Sequence, residues 1–380
     1  MKKNHFDYCL LIVVVFLIII GIIFLTSVSG VFSQEKFGNA TYYLFHQIVY
    51  GLIPGLILGF LVFKINLKTI KKFSFFILLS SLFLMVLVFL PSIGMVSGGA
   101  QRWLKLGNIS FQPSEILKIS FIIYLAAWLS NPIRDKSFLK NKMFESKNLF
   151  FKFKKEFFDL LPFLLILIII GFLLFFQSHT STTGIILIIA VTMYFLSNSS
   201  LWHSLFLVFV GILGLLIFLI ESPYRIKRIQ VLLGIIKDYM GLGYQIKQIS
   251  IAIGSGGLYG VGLGMSNQKF GFIPQTISDS IFAIIAEETG FIGGLILISL
   301  FVIFFWRGFK IFKSSQDKFF KLLAIGITFW ISFQAFINIG AMIGVLPLTG
   351  VALPFISYGG SHIIAELIGV GILLNISKQK

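Results

Sequence analysis

The chain has 380 residues, of which 57% are hydrophobic and only 12% charged, and 31 Lys+Arg against 14 Asp+Glu leave a formal net charge of +17. A soluble domain carries about 25% charged residues, so these figures exclude an ordinary water-soluble globule. They also exclude a disordered chain, which needs low hydrophobicity, as the mean hydropathy of +0.98 confirms. A pI near 9.8 would suit a nucleic-acid binder if the basic residues shared one face. Here they sit in short clusters between long apolar runs, so no nucleic-acid partner is expected.

A bilayer core needs about 20 consecutive apolar residues per helix. In chain order, such runs lie near 8–28, 43–63, 73–92, 113–130, 158–176, 183–199, 201–220, 281–306, 321–343 and 354–374. The fold class predicted is an all-α polytopic membrane protein with about ten transmembrane helices, forming a single integral domain over 1–380. The first run is too long and too poorly flanked for a cleaved signal peptide. Asn198, Ser199 and Ser200 predict a tight hairpin between the sixth and seventh runs.

Lys and Arg set orientation. Lys2 and Lys3 precede the first run; Lys64, Lys68, Lys71 and Lys72 follow the second. A basic loop over 131–157 follows the fourth, carrying Arg134, Lys136, Lys140, Lys142, Lys147, Lys152, Lys154 and Lys155. Arg307, Lys310, Lys313 and Lys318 follow the eighth, and Lys378 and Lys380 the tenth. With alternating helices all of these fall on one side, which places both termini in the cytoplasm. The opposite side carries two loops, near 93–112 and over 221–280. Within the second, Ile226 to Tyr239 is amphipathic, with Arg225, Lys227, Arg228 and Lys237 among apolar residues, and predicts a helix in the headgroup layer. Gly254 to Gly264 is glycine-rich, which allows sharp turns and close backbone approach. The lone Cys9 forms no internal disulfide, and no Cys/His cluster has zinc spacing.

Few ionisable residues fall inside the runs, and such residues are functional hypotheses by default. Glu115 and Lys118, at i and i+3, share a helix face and can pair; equally, Pro113 suits the first helical position and Glu115 the first turn. Asp279 precedes the eighth run, where it can cap the helix. Glu287 and Glu288 lie roughly 12 Å further along at about 1.5 Å per residue and need a wet cavity or an internal partner such as Lys118 or Gln334. Arg102 beside Trp103 can grip a phosphate and stack on a sugar, or simply anchor the interface. The bases from Arg225 to Lys269 face outward, against the positive-inside trend. The glycine loop lacks the Lys-Ser/Thr of a phosphate loop.

Four stretches point further. Ala100-Gln101-Arg102-Trp103-Leu104, with Gln112-Pro113-Ser114-Glu115-Ile116-Leu117-Lys118, resembles the GA-x-RWL … QPSE-x-x-K signature of the SEDS family. Gly243-Tyr244-Gln245-Ile246-Lys247-Gln248 and the glycine loop resemble its GYQ-x-x-QS … GSGG segment. Asp279-Ser280-Ile281-Phe282-Ala283 to Glu287-Glu288-Thr289-Gly290 resembles DFIFA … EELG. Leu346-Pro347-Leu348-Thr349-Gly350 with Leu353-Pro354-Phe355-Ile356-Ser357-Tyr358-Gly359-Gly360-Ser361 is similar to LP-x-TG … LPF-x-SYGGS. This is the family of FtsW and RodA, membrane glycosyltransferases that polymerise lipid II into peptidoglycan. The stretch from Gly262 to Lys269 is similar to the form usual in FtsW.

The resemblance implies that Asp279 is catalytic, deprotonating or orienting the acceptor 4-hydroxyl while undecaprenyl pyrophosphate leaves. It brings Arg102, Trp103, Glu115, Lys118, Gln245, Gln248, Lys269 and Ser357 into a substrate-binding set, with Glu287 and Glu288 as a structural or functional acidic pair. No cofactor is required by the sequence; a divalent cation, Mg or Mn, can screen pyrophosphate, but no protein metal site is predicted. The implied partners are lipid II, a class B penicillin-binding protein and other divisome proteins, at the division septum of a bacterial plasma membrane. The alternatives are a lipid II flippase or transporter, a RodA-like elongation enzyme, and an inactive division scaffold. Three departures stand out: His179 stands where an Asp is expected, Ile277-Ser278 where the family has His-Thr, and Glu366 is an extra acid in the last run.

Overall fold

A computed structural model describes residues 5–97, 100–107, 109–131, 149–197, 201–220, 223–235 and 241–379. Among them ten apolar helices correspond to the ten predicted runs. They are α1 (Tyr8–Phe37), α2 (Tyr42–Lys64, with a π-helical turn at Ile48–Leu52), α3 (Leu67–Leu87), α4 (Pro113–Leu129), α5 (Leu149–Phe176), α6 (Thr180–Leu196), α7 (Leu201–Ile220), α10 (Ile281–Ser314), α11 (Lys318–Met342) and α12 (Gly360–Lys378). Six of these, α1 to α3 and α10 to α12, are long and apolar enough to cross a bilayer outright. The hairpin predicted at 198–200 lies outside the described residues. So does most of the basic loop, and α5 begins at Leu149, inside the stretch assigned to that loop.

The segments near 93–112 and over 221–280 differ from a plain loop reading. The first folds into a three-stranded antiparallel sheet, β1 (Gly94–Ser97), β2 (Ala100–Leu106) and β3 (Ile109–Phe111), in that order. The second carries α8 (Pro223–Leu232) and α9 (Leu242–Ser255). The amphipathic helix thus ends earlier than the predicted Tyr239. Gly234 adopts φ 71°, while Ile235 N–H donates to Gln230 and Gly234 N–H to Val231, the Schellman arrangement that terminates helices.

The chain groups into two compact units. One comprises Asn66–Leu215 and Gln316–Gly326. In it Ser81 and Ser120 bring α3 and α4 together through a 2.7 Å hydroxyl contact, and Gln177 donates to the Met85 carbonyl. The other comprises Met1–Ile65, Leu216–Ser315 and Ile327–Lys380. Its closest helix pair is α2 against α12. Gly51, Gly55 and Gly59, four residues apart, face α12 so closely that a Cβ on Gly59 would overlap the Leu367 carbonyl, and Cβ atoms on Gly51 and Gly55 would overlap the Ile363 and Leu367 side chains and crowd the Gly360 and Ile364 backbone. Small residues at this spacing let membrane helices pack at backbone distance. At one end of this unit Asp7 caps α1 by accepting from Leu10 and takes a bidentate contact from Arg307, Nη2 at 2.6 Å.

The feature that organises the second unit is a break in α10 at Gly290, with φ 67° and ψ −166°. In an unbroken helix the amides of Phe291 and Ile292 would donate to the carbonyls of Glu287 and Glu288. Here those amides donate to Gly257 and Leu258, at 2.9 and 3.2 Å, and the two carbonyls accept from Val261 and Gly262, at 3.0 and 3.1 Å. The glycine loop is therefore the hydrogen-bonding partner of a broken helix. Gly260 has φ 83°, and a Cβ there would strike the Glu288 carbonyl. Gly264, at φ 80°, faces open space. Replacing Gly260 by Ala should cost about 2–5 kcal/mol, from the left-handed backbone and the overlap together. Gly264→Ala should cost only the ~1–2 kcal/mol of the backbone conformation. Thermal unfolding of both variants in detergent checks the ordering.

Candidate active site

Asp279 sits two residues before the start of α10, and it does not cap the helix: the cap position is Ser280, and no side chain fills the capping role. This overturns the capping interpretation. The Ser280 hydroxyl instead donates to the Pro274 carbonyl, so the turn 274–280 folds back on itself and aims the Asp279 carboxylate elsewhere. That carboxylate is 8% exposed. Ser278 Oγ donates to Oδ1 at 3.0 Å, and the Gln275 amide, turned with its nitrogen inward, lies 2.9 Å from the same oxygen. Burial pushes the Asp279 carboxyl above its ordinary value, opposed in part by the Ser278 hydroxyl, a backbone amide and the Arg228 guanidinium. A capping carboxylate beside a helix N-terminus would be shifted the other way.

The loop between α11 and α12 faces this carboxylate. A Cβ on Gly350 would stand 3.6 Å from Asp279 Oδ2. Arg228, on α8, donates to the Leu348 carbonyl at 2.6 Å. Asn338, on α11, donates to the carbonyls of Asp279 and Val351, both at 2.7 Å. Tyr358 N–H donates to the Ile277 carbonyl at 3.0 Å. Gln245, on α9, reaches the Ser280 hydroxyl at 3.4 Å, and Gln248 follows one turn later on that helix, half-buried. Arg228, Gln275 and Asn338 are absent from the sequence-derived set. Gln275 belongs to the same turn as Asp279, while Arg228 and Asn338 approach from α8 and α11, where no spacing in the sequence marks them.

Several expected binding residues have other occupations. Lys269 is 5% exposed; its ammonium pairs with Glu288 Oε1 at 3.3 Å and donates to Ser27 and the Gly264 carbonyl. It is therefore not an outward-facing base. Glu287 accepts from the Ser266 hydroxyl and the Asn267 amide. The side chains of the acidic pair thus find their partners in the stretch that continues the glycine loop and in α1, not in Lys118 or Gln334; Gln334 accepts from Trp330 and donates to Ala352. Ser357 is buried and its hydroxyl accepts from Leu353 N–H at 2.8 Å, so it braces its own loop. Glu366, the extra acid, accepts from Phe355 N–H at 2.8 Å and braces the same loop from α12. The Arg225 side chain and Lys237 lie outside the described residues.

The remaining expected residues belong to the unit containing α3 to α6. Glu115 and Lys118 form an ion pair of 2.7 Å, and Pro113 and Glu115 occupy the first turn of α4, so pairing and helix start both hold. Arg102 on β2 donates to the carbonyls of Gln177 and Ser178, at 3.0 and 2.6 Å, at the C-terminus of α5, where a cation is favoured. Trp103 stands opposite Met95 in the sheet. His179 Nε2 meets the Gln112 amide at 2.9 Å. Burial, with Arg102 and Lys118 adding to it, pushes this imidazole down to about 3, so it is neutral where the expected Asp would be charged.

Removing one member of a buried ion pair strands the other and costs about 3–5 kcal/mol, whereas replacing both by apolar groups is near neutral. Lys269→Met should therefore lower thermal stability far more than the double variant Lys269→Met/Glu288→Leu. Unfolding of the two in detergent tests that Lys269 is structural.

The chain resembles known proteins over its whole length. It is 36% identical to stage V sporulation protein E of Bacillus subtilis, covering 99% of this chain and 98% of that protein. It is 35% identical to a protein of Coxiella burnetii named "Probable peptidoglycan glycosyltransferase FtsW", covering 98% and 96%. A chain of a solved peptidoglycan synthase complex superposes with a TM-score of 0.75 at 24% identity, covering 98% of both, which establishes the polytopic helical fold. The family model described as cell cycle protein, FtsW/RodA/SpoVE, matches residues 7–380, and the chain belongs to that family.

Proposed function

We propose that this multi-pass membrane protein is a peptidoglycan glycosyltransferase that polymerises lipid II and releases undecaprenyl pyrophosphate. The observation that carries this reading is the Asp279 carboxylate, buried, excluded from helix capping and held at the head of α10. Full-length relatives named as peptidoglycan glycosyltransferases support it. In the reaction Asp279 takes the proton of the acceptor 4-hydroxyl as that oxygen bonds to the anomeric carbon of the donor; the bond from that carbon to the pyrophosphate breaks, and the pyrophosphate departs with its electrons. A base works best with a pKa raised toward the working pH, which is the direction burial imposes on Asp279. Arg228 supplies positive charge on the same side. Among the described residues no three His, Cys, Asp or Glu side chains converge. A Mg or Mn ion, if used, would thus be bound chiefly by the pyrophosphate oxygens.

The Lys and Arg distribution supports cytoplasmic termini and an outward-facing Asp279. The Gly262–Lys269 stretch favours septal synthesis in cell division. Cross-linking would then fall to a class B penicillin-binding protein among the divisome partners, since no K-T-G accompanies an S-x-x-K here. The identity to the sporulation protein favours a second reading, wall synthesis during sporulation; imaging a fluorescent fusion in vegetative and sporulating cells separates the two.

With purified protein and lipid II, Asp279→Asn should lose about 10²–10⁴-fold in polymerisation, the usual worth of a general base. Polymer from both proteins overturns the catalytic role. Polymer from neither, with lipid scrambling in vesicles, supports a flippase. The base must be ionised, so wild-type kcat/KM should fall as pH drops through a pKa above the ~3.9 of an ordinary Asp. An acid limb at or below that value contradicts the buried carboxylate.

A further inference from the structure

Asn338 lies on α11, 59 residues from Asp279 in sequence and 1% exposed. Both protons of its amide are committed, one to the carbonyl of Asp279 and one to that of Val351. Its Oδ1 is buried and has no partner among the described residues. A buried polar atom left unsatisfied is costly and needs a reason. The reason visible here is that the amide is oriented by its two donations, and a rotation that satisfied Oδ1 would release both carbonyls.

We propose that Asn338 is a positioning residue for the reaction assigned to Asp279: one amide group welds the backbone of the carboxylate to the loop that faces it. The inference rests on the reading of Asp279 as the base. The facing loop is held at Ala352 by Gln334 and at Phe355 by Glu366, and on either side of Gly350 by two further residues. Arg228 holds it at Leu348 and Asn338 at Val351, and between them Gly350 keeps the space before Oδ2 open. Asn338 joins the loop to the residue that carries the carboxylate through a single amide, alongside the direct bond from Tyr358 N–H to the Ile277 carbonyl. Asp279 itself has no regular element under it, since α10 begins two residues later and without a side-chain cap. Its placement therefore depends on a contact from outside its own segment. Asn338 touches neither the carboxylate oxygens nor the open space, so it acts through Asp279.

A misplacement of about 1 Å at a reacting group can cost 10²-fold in rate. Asn338→Ala, assayed with lipid II, should lower kcat by roughly 10–100-fold while KM stays within about twofold, because the substrate contacts are untouched. Asn338→Ser, which keeps one donor, should recover part of the loss. Wild-type kcat in folded Asn338→Ala, or a rise in KM without a fall in kcat, overturns the proposal. If neither variant yields folded protein, Asn338 serves the fold and not the placement of the carboxylate, and the proposal also fails. Asp279→Asn runs alongside. Loss of polymer there with full activity in Asn338→Ala refutes only the positioning role. Full activity in Asp279→Asn refutes the base, and the positioning role with it.

Discussion

A helix that breaks inside an apolar environment must find new partners for every backbone group it releases, because no water is there to take them. The break in α10 at Gly290 meets this constraint through the loop from Gly257 to Gly262, which supplies two acceptors and two donors to the four groups of Glu287, Glu288, Phe291 and Ile292. The glycines of that loop follow from the need. A backbone that pairs with another backbone at this distance has no room for Cβ at Gly256 or Gly260. The acidic pair follows as well. Glu287 and Glu288 sit on the last turn before the break, and their side chains hold the continuation of the same loop through Ser266, Asn267 and Lys269.

Many of the polar residues that the motifs single out are likewise structural. Lys269, a base that electrostatics alone would offer to a pyrophosphate, is neutralised by Glu288 and enclosed. Ser357 and Glu366 satisfy amides of one loop, and Arg102 satisfies carbonyls at the end of α5. What is left beside Asp279 is sparse: a hydroxyl, an amide and the Arg228 guanidinium. A sparse surrounding suits the role of base proposed for Asp279. Each further donor would lower the carboxylate's proton affinity and weaken it.

The spans were legible in the sequence, since α1 to α7 and α10 to α12 fall on the ten apolar runs, and length and hydropathy suffice to find a bilayer-crossing helix. The ion pair of Glu115 and Lys118 was legible too, because i,i+3 spacing on a helix is local geometry. The sheet over 94–111 was not. Its strands are only four, seven and three residues long, too short for an alternating pattern to stand out. Asp279 was found through its motif, and its environment was not.

By itself, then, the sequence determined the class of the protein, the number and place of its spans, and the candidate carboxylate, because hydrophobic length and local spacing are properties of contiguous residues. Tertiary structure alone decided whether Asp279 caps α10 or stands free of it, which acid takes Lys269, and that Asn338 and Arg228 close on the site. Those outcomes depend on contacts across 19 residues for Lys269, 59 for Asn338 and 120 for Arg228, where no local rule fixes a partner and only the packed chain brings the groups together.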